Sequence, residues 1–218
     1  MILRRAFWRY PGSGDPIINL ANIELAWQGI ATLCGPSGSG KTTLFRLLSG
    51  WFSEKDPSCC EFDPPLSPVK DVRMVGMHSS LLPWYRVREN IALQCGKRAM
   101  EDLDANLLRV GLSATVADLY PHQLSLGMYK RVEIIAATLM QPVLLLLDEF
   151  FSSMDDEAKR SVLSFVKLLR GDRMTWVVAH EEELRHMLSS LCWSLVLDGQ
   201  SGVVIDLRAS WGKALSSS

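Results

Sequence analysis

The sequence predicts an α/β protein built on a mostly parallel sheet, with phosphate held at the carboxyl edge of that sheet. Three observations carry this expectation. A glycine-rich turn, Gly35-Pro36-Ser37-Gly38-Ser39-Gly40-Lys41-Thr42, lies between a short apolar run and a stretch of helical spacing. A second apolar run, Val143-Leu144-Leu145-Leu146-Leu147, ends in Asp148-Glu149. Lys41 and Asp148 are 148 − 41 = 107 residues apart, enough to hold inserted structure.

Each element has its own justification. Ile30-Ala31-Thr32-Leu33-Cys34 reads as a buried strand, and Thr43-Leu44-Phe45-Arg46-Leu47-Leu48 as a helix that Gly50 can end. The turn between them fits the phosphate-loop pattern G-x-x-x-x-G-K-[ST]. Its glycines let successive N–H groups curl around phosphate oxygens, and the helix N-terminus adds partial positive charge. Lys41 would reach the β- and γ-phosphates, and the Thr42 hydroxyl would ligate Mg²⁺. Five apolar residues at 143–147 suit a central strand buried on both faces, with its acids at the ligand-binding end. Asp148 would hold Mg²⁺ through water and Glu149 would polarise the attacking water. An Asp-Glu pair after a core strand is in other settings a polar turn; its company with the 35–42 loop selects the functional reading.

The intervening chain reads as helical in three places. Met100 to Val110 puts apolar residues at 100, 103, 107, 108 and 110, with Gly111 placed to cap. Segments 87–94 and 128–140 are also helical in spacing, and Pro142 marks the break before the acidic strand. Segment 54–68, rich in Pro, Ser and Asp, reads as a loop or edge hairpin, and 216–218 as a frayed end.

Composition narrows the class. The 218 residues carry 23 Lys+Arg against 24 Asp+Glu, a net charge of −1, so there is no electrostatic case for nucleic acid. Hydrophobic residues at 48% and charged residues at 22% describe a soluble globular chain rather than a disordered one. No run approaches the ~18 apolar residues of a membrane span. Arg9 and the polar 12–15 stretch stand where a signal peptide needs its apolar core, so an intracellular protein is expected. Five cysteines, at 34, 59, 60, 95 and 192, lack metal-ligand spacing and read as reduced thiols.

Five further segments fall in a set order. Tyr10 lies 25 residues before Gly35. Leu81-Leu82-Pro83-Trp84 precedes Val87-Arg88-Glu89-Asn90-Ile91. Tyr120-Pro121-His122-Gln123-Leu124-Ser125-Leu126-Gly127-Met128 leads to Arg131 and the stretch through Leu139. Phe151-Ser152-Ser153-Met154-Asp155 follows the acidic pair, and His180 ends the β-rich run 175–179. With the phosphate loop and acidic strand, these resemble the nucleotide-binding subunit of ATP-binding-cassette (ABC) transporters over nearly the whole chain. The 81–91 segment is most similar to importers for nitrate, sulfonates and taurine.

The resemblance implies a P-loop NTPase with a RecA-like, mostly parallel core. To it are added an N-terminal antiparallel β subdomain and an inserted α-helical subdomain. One ABC ATPase domain would cover 1–218, with its core at about 1–80 and 127–218 and the insertion at about 81–126. Gly35, Pro36, Ser37, Gly38, Ser39, Gly40, Lys41, Thr42 and Thr43 would hold the phosphates. Tyr10 would stack on adenine, with Phe7 and Trp8 as competitors. Thr42 and Asp148 would hold Mg²⁺, Glu149 would be the catalytic residue that orients water and His180 the switch histidine. Two copies, or one copy and a related subunit, would face head to tail, with Ser125 and Gly127 of one contacting ATP on the other. The insertion would dock on a membrane permease served by a periplasmic or extracellular binding protein. The chain would then sit peripherally on the cytoplasmic face of the membrane and hydrolyse ATP to power import, with no room for an appended regulatory domain.

Two departures from the family pattern fall on parts that close and couple. The glutamine expected four positions before Leu81 is replaced by Met77 or, with a one-residue slip, His78, and neither suits a hard cation that wants oxygen. Leu126 stands in place of the first signature glycine, where a branched side chain restricts access and backbone angles. They motivate an alternative reading, a regulatory half that holds ATP and hydrolyses it weakly. A soluble ABC ATPase uncoupled from transport fits a single 218-residue cassette less well, and a small-molecule kinase leaves 120–128 unexplained.

Overall fold

The computed structural model describes residues 1–24, 29–34, 37–52, 56, 59–76, 80–171, 173–178, 192–197 and 204–208, with backbone alone at 24, 34, 68–69, 192–197 and 204–208. Two sheets organise them. The N-terminal sheet is antiparallel, with Ile2–Trp8 (β1) between Ile18–Glu24 (β2) and Cys60–Asp63 (β4). The second has six strands in the order β5-β6-β7-β3-β8-β9. They are Ile30–Cys34 (β3), Val72–Val75 (β5), Leu144–Leu147 (β6), Met174–Val178 (β7), Cys192–Leu197 (β8) and Val204–Arg208 (β9). Its neighbours run parallel except β8 and β9, which pair antiparallel.

Central position explains the sequence of β6. All four of its leucines are buried, because parallel strands flank it and layers cover both faces. Alternation sorts them. Leu145 and Leu147, with Val177 of β7, face a helical layer made from Val87–Cys95 (α3), Leu103–Arg109 (α4), Leu126–Leu139 (α5) and Asp156–Arg170 (α6). Leu144 and Leu146, with Trp176 and Val178, face Lys41–Leu48 (α1) and the antiparallel sheet. A one-turn helix, Pro68–Asp71 (α2), leads into β5.

Element by element, the sequence expectations hold with shifted ends. The strand at 30–34 is β3, and the acidic strand begins one residue late, at Leu144. The 54–68 segment contains β4, an edge strand. The helix after the phosphate loop starts at Lys41, and the 128–140 helix starts at Leu126. The 100–110 helix needs correction. Met100 belongs to a separate 3₁₀ turn, Lys97–Met100, and α4 starts only at Leu103. Its buried stripe is Leu103 and Leu107, continued by Val110 at the C-cap, whereas Leu108 is exposed. At ~100° per residue, position 108 lies about 140° around the helix from 103, on the solvent side.

Candidate functional site

The carboxyl ends of β3 and β6 emerge on one edge of the central sheet because both strands pair in parallel with β7. The described part of the phosphate loop begins at Ser37; Gly35 and Pro36 lie outside the described residues. Gly38 and Gly40 have φ of 80° and 95°, angles that side chains rarely adopt. Gly40 is constrained twice, since a Cβ there would come within 3.0 Å of Ile17 Cγ2 and 3.1 Å of Ile18 Cδ1. Ser39 is buried and its Oγ has no hydrogen-bond partner among the described residues. α1 then begins at Lys41, which is itself buried.

Asp148 meets this loop from β6. Its side chain is 2% exposed and accepts a hydrogen bond from the Thr42 hydroxyl, while Oδ1 has no partner among the described residues. Burial pushes its carboxyl above the usual range; Thr42, Arg46 and Lys41 pull it back, and neighbouring Glu149 adds to the rise. A close approach of β5 completes the packing. The Asp148 N–H donates to Val75 O at 2.9 Å, and a Cβ on Gly76 would lie 3.1 Å from Asp148 Cβ. Asp148 and Thr42 therefore offer hard oxygen donors, one atom of them unsatisfied, and such a set suits Mg²⁺. The described residues contain no cluster of three or more His, Cys, Asp or Glu that could cage a metal. A metal sharing its coordination with substrate phosphates needs no such cage.

Glu149, one residue on, is exposed and holds φ 47° and ψ 28°, a left-handed conformation costing ~1–3 kcal/mol outside glycine. Its carbonyl accepts from Ser152 Oγ at 2.9 Å and from Lys130 Nζ at 3.1 Å. Lys130 is buried on α5, and desolvation lowers its pKa while Glu133 and Glu149 oppose the shift. A 3₁₀ turn, Phe150–Ser153, follows.

Of the three aromatic candidates, Trp8 is buried and stacks on Phe52 at 3.9 Å, and Phe7 lies under the Arg5 guanidinium. Tyr10 stands edge-on to both Trp8 and Phe52, with its hydroxyl 3.4 Å from Thr43 Oγ1. That hydroxyl contact reaches the first turn of the phosphate-loop helix. Ser125 caps α5, accepting from Met128 N–H at 3.2 Å, and both Ser125 and Leu126 are exposed. A Cβ on Gly127 would come within 3.3 Å of Ser153 O, so this glycine seats α5 against the 150–153 turn. Gly127 thus lies beside the 150–153 turn that follows Glu149. His180, Met77 and His78 lie outside the described residues.

The segment after 77–79 is held by Asn90 of the 87–91 motif and by Glu133, Gln94 and Tyr129, which the sequence alone does not single out. Glu133 Oε1 accepts from Ser80 N–H at 2.8 Å and from Ser80 Oγ at 2.9 Å. Gln94 donates to Ser80 O, and the Tyr129 hydroxyl accepts from Leu81 N–H. Asn90, in the 87–91 motif, accepts from Leu82 N–H and donates to the carbonyls of Leu82, Tyr85 and Arg86. Clamping this turn leaves Trp84 exposed.

A family model described as ABC transporter matches residues 18–152, the stretch that holds the phosphate loop, the α5 N-terminus and the Asp148-Glu149 pair. The chain belongs to the ABC transporter family. Similar curated proteins are named as transport or import ATP-binding proteins. The glutamate transport ATP-binding protein GluA of Corynebacterium efficiens is 35% identical over 177 residues, covering 73% of this chain and 72% of its own length. The aliphatic sulfonates import ATP-binding protein SsuB of Burkholderia thailandensis is 37% identical over 166 residues, covering 74% and 49%. The spermidine/putrescine import ATP-binding protein PotA of Lawsonia intracellularis is 34% identical over 178 residues, covering 74% and 47%. This ABC-family chain spans about half the length of the PotA relatives it matches. A bacterial Atm1-family ABC exporter solved with ATP bound superimposes with a TM-score of 0.76 over 94% of this chain and 38% of the exporter chain. At 22% identity that likeness concerns the fold.

Proposed function

We propose that this ABC-family chain binds Mg²⁺·ATP and hydrolyses it as the ATP-binding subunit of an importer. The observation that carries the reading is the Thr42–Asp148 pair, with an unsatisfied Asp148 Oδ1 buried at the mouth of the phosphate loop. Thr42 and Asp148 would hold the metal, which supplies charge neutralisation of the phosphates. The 35–43 loop and Lys41 bind the triphosphate, Tyr10 supports the base, Glu149 orients water and accepts its proton, and His180 senses the γ-phosphate. Two copies, or this chain and a related subunit, close head to tail, with Ser125 and Gly127 each completing the other's site. The relatives' import names support a permease and a substrate-binding protein as partners, with the chain peripheral on the cytoplasmic face. Among the described residues no helix is long and apolar enough to cross a membrane, so a separate permease would supply the path.

The test is the Glu149→Gln variant. Loss of at least 100-fold in Mg²⁺-dependent ATP turnover, with ATP still bound, is expected; wild-type turnover contradicts the reading. A second reading, weak hydrolysis in a regulatory half, is favoured by Leu126, which is 64% exposed at the cap of α5. If it holds, Leu126→Gly raises turnover about tenfold or more, and an unchanged rate rejects it.

A further inference from the structure

The Glu149 peptide is held from α5. Its carbonyl stands at the centre of a small ring of donors. Ser152 Oγ donates to it, and the Lys130 ammonium donates both to it and to Ser152 Oγ, the latter at 3.3 Å. The same ammonium lies 6.0 Å from the Phe150 ring centroid. Lys130 makes no ion pair among the described residues, so a buried cation is committed to a backbone carbonyl instead of a carboxylate. One helical turn earlier, Gly127 lets α5 approach Ser153 O, so the 127/130 face of the helix grips the turn at two points. A left-handed non-glycine residue persists only where its surroundings over-determine it.

We infer that Lys130 is a positioning residue that holds the Glu149 backbone left-handed and thereby aims its carboxylate, a role resting on the hydrolytic reading above. The direction of Cα–Cβ follows from φ and ψ, so relaxation of this peptide to the right-handed basin would swing the carboxylate away from its water. The phosphate loop lies outside that change. Lys130 therefore acts on turnover and not on ATP binding.

Three variants test this in the full chain: Lys130→Met, Lys130→Arg and Ser152→Ala, with Glu149→Gln alongside. In Lys130→Met we expect kcat to fall at least tenfold and KM for ATP to stay within twofold. Amide hydrogen exchange across 150–154 of the nucleotide-free protein should quicken at least tenfold. Lys130→Arg, which can still donate to both oxygens, should recover kcat to within threefold of wild type. Wild-type kcat and exchange in Lys130→Met overturn the inference, as does a loss shared equally between kcat and KM. Should Lys130→Met fail to fold, the exposed Ser152→Ala decides: at least a threefold drop in kcat with KM unmoved supports the role, and wild-type kcat overturns it. An inactive Glu149→Gln beside a fully active Lys130→Met removes the Lys130 role alone. A fully active Glu149→Gln removes the hydrolytic reading and this inference with it.

Discussion

Burial raises the pKa of two carboxylates, Asp148 and Glu133, and their oxygens are partnered differently. Asp148 keeps a buried oxygen without a partner among the described residues, whereas Glu133 Oε1 accepts two hydrogen bonds, from the Ser80 N–H and hydroxyl. Burial nevertheless raises Glu133 above its ordinary value of 4.5, against the pull of Ser80, Arg73 and Lys130. Because the folded form binds its proton more tightly than the unfolded form, stability falls as pH rises from 4.5 through the raised folded value. Glu133→Gln keeps an acceptor for Ser80 and removes the charge. Its melting midpoint should exceed wild type at pH 7, with the gap closing as pH falls towards 4.5; a pH-independent gap argues against the mechanism. Gly40→Ala meets a positive φ and two isoleucine side chains at about 3 Å. It should lose ~1–3 kcal/mol of stability by denaturant titration, and ATP affinity at least tenfold. That the glycine-rich loop meets the acidic end of β6 was legible in the sequence, because the loop pattern has a fixed spacing and the acids end an apolar run. Lys130 and Glu133 were not. Inside a helical stretch, a lysine and a glutamate read as solvent-facing until the 150–153 turn and Ser80 are seen against them.

At the scale of elements, the edge of the sheet opposite the site is secured by Arg170 at the end of α6. Its buried guanidinium donates to the carbonyls of Pro142, Val143 and Met174 and to Thr175 Oγ1, joining the helix to the starts of β6 and β7. Desolvation lowers its pKa to about 10, still cationic at neutral pH. Arg170→Ala leaves several acceptors buried without a donor and should cost ~2–4 kcal/mol in chemical denaturation, with ATP affinity within twofold of wild type. A stability change below ~1 kcal/mol rejects that role. Strand and helix types were readable here from apolar runs, Gly and Pro. Their phases were not. In β1, a register shift between Leu3 and Arg5 moves the buried set from Leu3 to Ala6 and Trp8, which strict alternation cannot anticipate. In α4, the preceding 3₁₀ turn resets the helix and turns Leu108 outward.

For the whole molecule, the Ser125 cap of α5 is exposed, and on the proposed reading a second copy brings it to ATP. ATP added to Glu149→Gln should therefore double the mass seen by light scattering, and Ser125→Arg should block the doubling while leaving one ATP bound per chain. The departures at 77–78 lie outside the described residues, so Leu126 is the structural reason to look for slow turnover. Beneath both ideas lies one claim, that the phosphate loop and the Thr42–Asp148 pair together hold a magnesium-bound triphosphate. Isothermal titration calorimetry of wild type and Asp148→Asn with ATP, with and without Mg²⁺, tests it most directly. We expect Mg²⁺ to tighten wild-type binding at least tenfold and to do nothing for Asp148→Asn. A chain that takes up no ATP, or an Asp148→Asn variant that gains as much from Mg²⁺ as wild type, contradicts the account.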